Sequence, residues 1–373
     1  MKKKVYILQN GLALGGTDTF VVNICRGLNK QEFDVVVINP SIKPESLIRE
    51  PEIIATGCKI LRTSPLTTPW SKLKHFYRLY QILRKGKADI FHTNVDLFNG
   101  PQLFIAWLAR VPIRICHSHN GNQQKALVHG QTLMIRVYQS LMRWMCWTFS
   151  NRRLGCSAIA MDFLYKGYDW QHDKYPIIIN NGIDLDIYKK QKSPCINNNE
   201  LGLSARYNIV TVGRIIPQKN PLFIANVFVE LCKNRTDCDF VWVGDGILKQ
   251  ECEEIFRRAN LLSRVHFLGQ RSDVPDILQC CDMFFMPSSF EGLGIVLIEA
   301  QAAGLPCLVS TAVPNEANCG GCLYKSLDDS LESWASILGD ILDNVIILKS
   351  NDIELQKFSI NYMVEQMQRV FKS

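Results

Sequence analysis

The chain has 373 residues, 47% hydrophobic and 21% charged, which is enough polypeptide for two cores and too apolar for a disordered chain. Its formal charge of +7 is unevenly spread: residues 1–180 hold 24 Lys and Arg against 11 Asp and Glu, a balance of +13, whereas residues 181–373 hold 18 against 24, a balance of −6. A basic half favours an anionic surface or substrate; no compact nucleic-acid module is visible, so nucleic acid is set aside and an anionic membrane surface is expected instead.

No apolar run approaches the ~18 residues that a spanning helix needs, because Arg110, Arg114, Arg136, Arg143 and Arg152-Arg153 interrupt the richest stretches. Met1-Lys2-Lys3-Lys4 followed by VYIL imitates a secretion signal, but Gln9-Asn10 ends the apolar region at once, which fits a first buried strand better. The 14 cysteines are scattered, and Cys116, Cys146 and Cys307 fall inside apolar segments, so reduced thiols in a cytoplasmic protein are expected. Cys319-Gly-Gly-Cys322 is a lone CxxC without a second pair, and no zinc site is expected there.

In chain order, Lys4–Gln9 reads as a first strand and 10–17 as a flexible loop into a helix from about Asp18 to Leu28. Gly11, Gly15 and Gly16 do not make the G-x-G-x-x-G of a dinucleotide site, so a nicotinamide cofactor is not expected. Phe33–Ile38 is a second strand, and Glu52–Thr63 holds a short one. Lys72–Lys87 has a helical period, with Leu73, Phe76, Tyr77, Tyr80, Ile82 and Leu83 as an apolar face and Lys72, Lys74, Arg78, Arg84, Lys85 and Lys87 as the remainder. That suits a core helix with a solvated basic face; a helix lying on a bilayer is the alternative.

Asp89–Thr93, with His92 near its end, and Arg114–His117 are further strands. His117 and His119 lie on the same side while the chain stays extended, but a turn at Ser118 sends them apart, leaving one to face a cleft. They lack a third ligand nearby, so no metal site is expected. Val128–Phe149, rich in Leu, Met, Trp, Tyr and Phe around Arg136 and Arg143, reads as packed inside the first domain, with an interfacial membrane helix as the alternative. Leu154–Ser157 leads into a helix capped by Ser157. Ile177–Ile179 runs into Asn180-Asn181-Gly182-Ile183-Asp184 and closes the first domain, 1–188; the polar stretch 189–204 is the linker, and a ligand cleft between the domains is expected.

The second domain, 205–350, opens with the strand Asn208–Val212, ending in Gly213-Arg214 and then Pro217-Gln218-Lys219-Asn220. Cations five residues apart beside a glycine turn clamp a diphosphate, Arg214 through a planar fork and Lys219 as a point charge; ordinary surface cations are the plain alternative. Phe240–Val243 leads to Gly244-Asp245-Gly246, a turn that brings backbone near a ligand, and Val265–Leu268 precedes Gly269-Gln270-Arg271. From Asp282 to Ser310 the chain reads strand, loop, helix, strand, with Glu291-Gly292-Leu293-Gly294 as the loop and Gly304 as the stop. In such a βαβ unit the loop at the strand end holds the ligand. Gly292 and Gly294 leave backbone N–H groups open at a helix N-terminus, which welcomes an anion, while Glu291 and Glu299 fit beside it if each accepts from hydroxyls. Phosphate with hydroxyls means a nucleotide sugar; two solvated glutamates around an ordinary helix is the other reading. Ser330–Leu348 and Ile353–Phe371 are closing helices.

Glu291 and Glu299, within FEGLGIVLIEAQAAGLP, resemble the paired-glutamate motif of the retaining family-4 glycosyltransferases (glycosyl transferases group 1) of bacterial surface-polysaccharide assembly. The resemblance extends over most of the chain, through Gly15-Gly16, NNGIDLDIY at Asn180–Tyr188, VGRIIPQKN at Val212–Asn220 and VGDG at Val243–Gly246. It implies the α/β GT-B fold, two Rossmann-like doubly wound parallel-sheet domains facing across a cleft. It also implies transfer of a sugar, with retention and without a metal or other cofactor, from a nucleotide-diphosphate sugar, expected to be a UDP-sugar. The acceptor would be a hydroxyl of a lipid-linked saccharide at the inner face of the cytoplasmic membrane, in capsule, exopolysaccharide or lipopolysaccharide biosynthesis.

Residue by residue, the resemblance puts Gly15 and Gly16 near the donor phosphates and acceptor, and a histidine beside the donor sugar, His119 with His117 as fallback. Glu291 takes the sugar-ring hydroxyls and Glu299 the ribose. Gly213, Arg214, Lys219, Gly244, Gly246, Gly292, Leu293 and Gly294 line the donor site, with backbone contacts to the base around Arg271. The last helix, in 351–373, crosses back to brace the first domain. Two rivals stand: an epimerase of the same fold conscripting Glu291 and Asp96, and a non-catalytic sugar or membrane-surface binding protein.

Overall fold

Short runs of Val, Ile, Phe and Leu, buried on both faces, settle as parallel strands joined through helices. The computed structural model describes residues 2–13, 15–119, 133–174, 176–189 and 198–373. Its chain divides into two units, unit 1 at Met1–Gly182 with Ile360–Ser373 and unit 2 at Ile183–Ser359.

Unit 1 is a parallel sheet of β1 (Lys3–Leu8), β2 (Phe33–Ile38), β3 (Lys59–Leu61), β4 (Ile90–Thr93), β5 (Ile113–Ser118), β6 (Arg152–Gly155) and β7 (Pro176–Ile178), in the order β3-β2-β1-β4-β5-β6-β7. Its helices are α1 (Gly16–Gly27), α2 (Glu50–Ala55), α3 (Pro69–Gly86), α4 (Asn99–Leu108), α5 (Leu133–Phe149) and α6 (Ala158–Leu164). Alternation along β1 builds both faces: Val5 and Ile7 pack with Phe20, Val21 and Ile24 of α1, whereas Tyr6 and Leu8 pack with Leu79 and Leu83 of α3 and Leu103 of α4. Ser157 caps α6, its hydroxyl accepting from the Ala160 amide at 3.2 Å.

Unit 2 repeats the plan with β8 (Tyr207–Val212), β9 (Cys238–Val243), β10 (Val265–Gly269), β11 (Met283–Met286), β12 (Cys307–Ser310) and β13 (Cys322–Lys325), in the order β10-β9-β8-β11-β12-β13. Its helices are α7 (Pro221–Cys232), α8 (Lys249–Arg258), α9 (Val274–Gln279), α10 (Ile295–Ala302), α11 (Leu331–Leu342) and α12 (Asp352–Gln356). One face gathers Ile209, Phe240, Trp242, Phe285 and Trp334. The final helix, α13 (Ile360–Lys372), belongs to unit 1, where Met363, Met367 and Phe371 join the core that contains Phe20.

Both sheets reverse their strand order beside the first strand, at β1/β4 and at β8/β11, and loops at the carboxyl ends of those strands are where such sheets bind ligands.

Several expectations need correction. The helix read over Ile353–Phe371 is broken, because the Ile183 amide donates to Phe358 O at 2.8 Å and pulls 357–359 out of helical geometry. The one read over Ser330–Leu348 ends at Leu342, followed by Asn344 at φ 58°. The change of unit falls at Gly182/Ile183 rather than after 188, since Leu185 and Tyr188 form a buried 3-10 turn against α9 and α10. Half of the expected linker, 190–197, lies outside the described residues. On α3 the buried stripe is His75, Leu79 and Leu83, which shares only Leu83 with the expected face; Phe76 and Ile82 are half-buried, and Leu73, Tyr77 and Tyr80 are exposed. His75 was missed because a histidine reads as polar, yet Thr63 Oγ1 and Gln102 Oε1 hold both ring nitrogens, at 2.6 and 2.8 Å.

Candidate functional site

In unit 2 the two loops at the β8/β11 reversal are bolted together. Lys219, in the loop after β8, donates to Glu291 Oε1 after β11 at 2.6 Å, with the side chains only 19% and 8% exposed. The Ser289 amide donates to Gln218 O at 2.9 Å, and Gln218 Nε2 to Phe290 O at 3.3 Å. So the structure brings together Lys219 and Glu291, which lie 72 residues apart in the sequence and are assigned there to different parts of a ligand. Arg214 is exposed, with no carboxylate paired to it among the described residues.

Directly after Glu291 the chain enters α10. Gly294, its N-cap, sits at φ 80°, ψ 55°, a left-handed conformation that suits glycine, and Leu293 is buried. The helix therefore presents its positive end beside a carboxylate already neutralised by Lys219. That arrangement favours an anion while leaving carboxylate oxygens for hydroxyl donors. Glu299, within α10, is half-buried; burial raises its pKa, opposed by a hydrogen bond from the Tyr188 phenol. Tyr188 ends the NNGIDLDIY stretch, where nothing local gives it a role; its pairing with Glu299 arises only because the 185–188 turn packs on α10.

Gly244 and Gly246 have a cause inside the fold beside the ligand approach expected of them. A Cβ on Gly244 would lie 2.0 Å from Gly213 O, and one on Gly246 would lie 2.3 Å from Ile215 O. Here backbone approaches backbone: the Gly213 amide donates to Val243 O at 2.9 Å and the Ile215 amide to Asp245 O at 3.0 Å. These glycines shape the loop that carries Arg214. Arg271 donates to Asp273 Oδ1 at 2.8 Å, so its guanidinium already has a carboxylate.

In unit 1 the corresponding strand ends hold a histidine cluster. The His117 and His119 rings lie 4.0 Å apart between centroids, so no turn at Ser118 separates them, and β5 stays extended through that residue. His92 Nε2 faces His117 Nδ1 at 3.2 Å, and Phe20 of α1 sets its ring edgewise against all three imidazoles. His117 has no exposed surface and His119 only 7%, which leaves His119 as the nearer of the two to solvent. His119 Nε2 lies 2.9 Å from Asn94 Oδ1, and its amide donates to Asp96 Oδ1 at 3.1 Å. Burial holds His92 and His119 neutral, with pKa values near 3, and pushes His117 well below the usual range. His119 Nδ1 makes no further hydrogen bond among the described residues, and the nearby Asn181 side chain opposes the fall in the ring's pKa.

Gly15 does not offer its amide freely. Asp18 Oδ2 accepts from both the Ala13 and Gly15 amides at 3.1 Å, while Asp18 Oδ1 accepts from Gln9 Nε2 at 2.8 Å. Gly16 begins α1 behind this turn. Asn120 and the chain to 132 lie outside the described residues. Among the described residues no group of three or more His, Cys, Asp and Glu is placed to hold a metal ion, and no helix is long and apolar enough to cross a membrane.

The role of Tyr188 is open to measurement. Tyr188→Phe removes a donor worth about 0.5–1.5 kcal/mol and lets the Glu299 carboxyl protonate more readily. The variant is expected to lose about three- to tenfold in nucleotide-donor affinity, more at pH 5.5 than at pH 8. Equal affinity at both pH values would dismiss Glu299 as a hydroxyl acceptor.

The chain is similar to known proteins along most of its length. Residues 14–187 match the model described as Glycosyltransferase Family 4, and residues 206–344 the model described as Glycosyl transferases group 1. The UDP-Gal:alpha-D-GlcNAc-diphosphoundecaprenol alpha-1,3-galactosyltransferase of Escherichia coli is 31% identical over 297 residues, 74% of this chain and 72% of that one. EpsF of Bacillus subtilis is 28% identical over 351 residues, 90% of this chain and 87% of its own. Among solved structures, HepE of Anabaena, crystallised with UDP and glucose, superposes with a TM-score of 0.79 at 17% identity, covering 99% of both chains.

Proposed function

Because the chain belongs to the family-4, group 1 glycosyltransferases and has their GT-B architecture of two Rossmann-like parallel sheets, we propose that it transfers a sugar with retention from a UDP-sugar to a hydroxyl of a lipid-linked saccharide, in bacterial surface-polysaccharide assembly. The observation that carries this reading is the Lys219–Glu291 pair at the β8/β11 reversal, set beside the N-terminus of α10. The E. coli relative uses UDP-Gal and a diphosphoundecaprenol-linked acceptor by its name, which supports the choice of donor and acceptor.

The departing diphosphate gains negative charge while the sugar becomes oxocarbenium-like, so the site must neutralise the first and tolerate the second. In this reading Arg214, Lys219 and the α10 amides meet the diphosphate, without a metal. Glu291 accepts from the sugar-ring hydroxyls and Glu299, steadied by Tyr188, from the ribose. His119 is assigned to the sugar and acceptor hydroxyls as a neutral hydrogen-bonding group, and the leaving phosphate oxygen takes the acceptor proton.

The test is nucleotide release from UDP-, GDP- and ADP-sugars, each in EDTA. Slow UDP release from one donor supports the reading and names the sugar; release only on adding a divalent cation would overturn the metal-free part. Absence of both release and donor-induced thermal stabilisation would overturn the transferase assignment itself. Retention is read from the anomer formed on the acceptor.

The +13 balance of residues 1–180 supports an anionic membrane surface as partner. On α3, Trp70, Leu73 and Tyr77 are exposed beside Lys74, Arg78, Arg84 and Lys85. The protein is expected to float with vesicles containing phosphatidylglycerol and to stay behind with neutral ones; indifference to lipid charge would reject this partner.

A further inference from the structure

Away from both sheet reversals, unit 1 carries a cavity between α5 and the turn after α6. It measures about 510 Å³, and an adjoining hollow of about 590 Å³ shares Gln139, Arg143, Lys166 and Tyr168 with it. Arg136, Arg143 and Lys166 line these spaces against one carboxylate, Asp162, which accepts from Trp170 Nε1 at 2.8 Å. None of the three cations is in an ion pair among the described residues.

Arg143 is the most telling of them. It is half-buried, its Nε donating to Phe163 O at 3.0 Å and its guanidinium resting over the Phe163 ring. Burial works against its charge and no anion answers it; a partly desolvated cation with neutral partners is stabilised by an anionic ligand. Next to it lies an apolar surface. Arg136 and Arg143 share one face of α5, and rotated by one residue along the same helix run Met134, Val137, Leu141 and Trp144, all exposed. Tyr168 and Trp170 stand in the cavity wall, and such rings favour the depth of lipid headgroups.

We propose that this cavity binds the phosphate of an anionic membrane lipid, with the exposed apolar stripe of α5 set among the acyl chains beside it. Cations in a hollow and an apolar stripe at its edge match a phosphate joined to a hydrocarbon; a free phosphate leaves the stripe unused. The inference deepens, and rests on, the membrane partner proposed above. It adds a defined site, distinct from the basic face of α3, with preference for a phosphate over negative charge in general.

Vesicle cosedimentation separates the possibilities, using neutral vesicles made equally anionic with either phosphatidylglycerol or oleate. The intact protein is expected to bind the phosphatidylglycerol vesicles at least fivefold more tightly than the oleate vesicles. Arg136→Gln/Lys166→Gln, both exposed positions, is expected to lose about tenfold in affinity and all of that preference. Lys43→Gln/Lys59→Gln, exposed positions elsewhere in unit 1 with the same charge change, is expected to keep the preference. Equal losses in the two variants would overturn the site while leaving membrane binding standing. No binding of the intact protein to any vesicle would remove the membrane partner and this site with it. Thermal stabilisation by inorganic phosphate without vesicle binding would reassign the cavity to a soluble anion and overturn the proposal.

Discussion

Lys219→Ala is expected to slow sugar transfer by about 10- to 150-fold, the 1.5–3 kcal/mol of a charge-assisted hydrogen bond to the donor diphosphate. It is also expected to lower the melting temperature, which a surface lysine would not do. Glu291 accepts from Lys219 at 2.6 Å and is 7% exposed, so removing the lysine strands a buried carboxylate. Glu291→Gln keeps the shape and discards the charge, and should slow transfer with little change in melting. The two losses are predicted not to add: Lys219→Met/Glu291→Gln should regain thermal stability, as an uncharged pair of similar volume, while remaining as slow as the worse single variant. Full transfer by Lys219→Ala would disprove the diphosphate role. Strict additivity of the rates would show that the pair does not act as a unit.

The sites of the strands and the loops that follow them were legible because buried parallel strands are short continuous apolar runs, and their ends are marked by glycine and polar residues. The relative placement of Glu291, Gly294 and Glu299 was legible for the same reason: they sit in one βαβ unit, and local spacing sets their relation. What depends on distant segments was not. Lys219 and Glu291 read as ligands to different groups, since nothing in either stretch says that they touch. Gly244 reads as bringing backbone near a ligand, and the 2.0 Å approach of Gly213 O adds a cause inside the fold that local spacing does not show. The apolar face of α3 is only partly the one that periodicity gives, because its neighbours reward His75 with two side-chain partners and leave Tyr77 to solvent. On β5 the period-2 spacing of His117 and His119 was recognised, but His92 and Phe20, which lock the rings together, come from β4 and α1.

That cluster is expected to make the protein acid-sensitive. His92, His117 and His119 stay neutral in the folded state because burial opposes their charge, with His92 and His119 near pKa 3, while an unfolded histidine titrates near 6.5. As pH falls below 6.5 the unfolded chain takes up protons that the folded one refuses, so stability drops until the folded pKa values are reached. From pH 7 to pH 5 the expected loss is about 2 kcal/mol per histidine, roughly 6 kcal/mol for the cluster if the sites act independently. Asp18 and Glu299, raised by burial, work the other way, losing stability as pH rises. Comparing the intact protein with His92→Gln, by urea unfolding at pH 7, 6 and 5, cancels those contributions and should reduce the slope by about a third. A stability independent of pH over that range would mean that the cluster is already protonated when folded. The same neutrality bears on the role proposed for His119: as a neutral imidazole near pH 7 it is expected to hold a hydroxyl rather than serve as a general acid. Activity corrected for unfolding should therefore show no inflection near pH 6.5, and an inflection there that vanished in His119→Gln would restore an acid–base role.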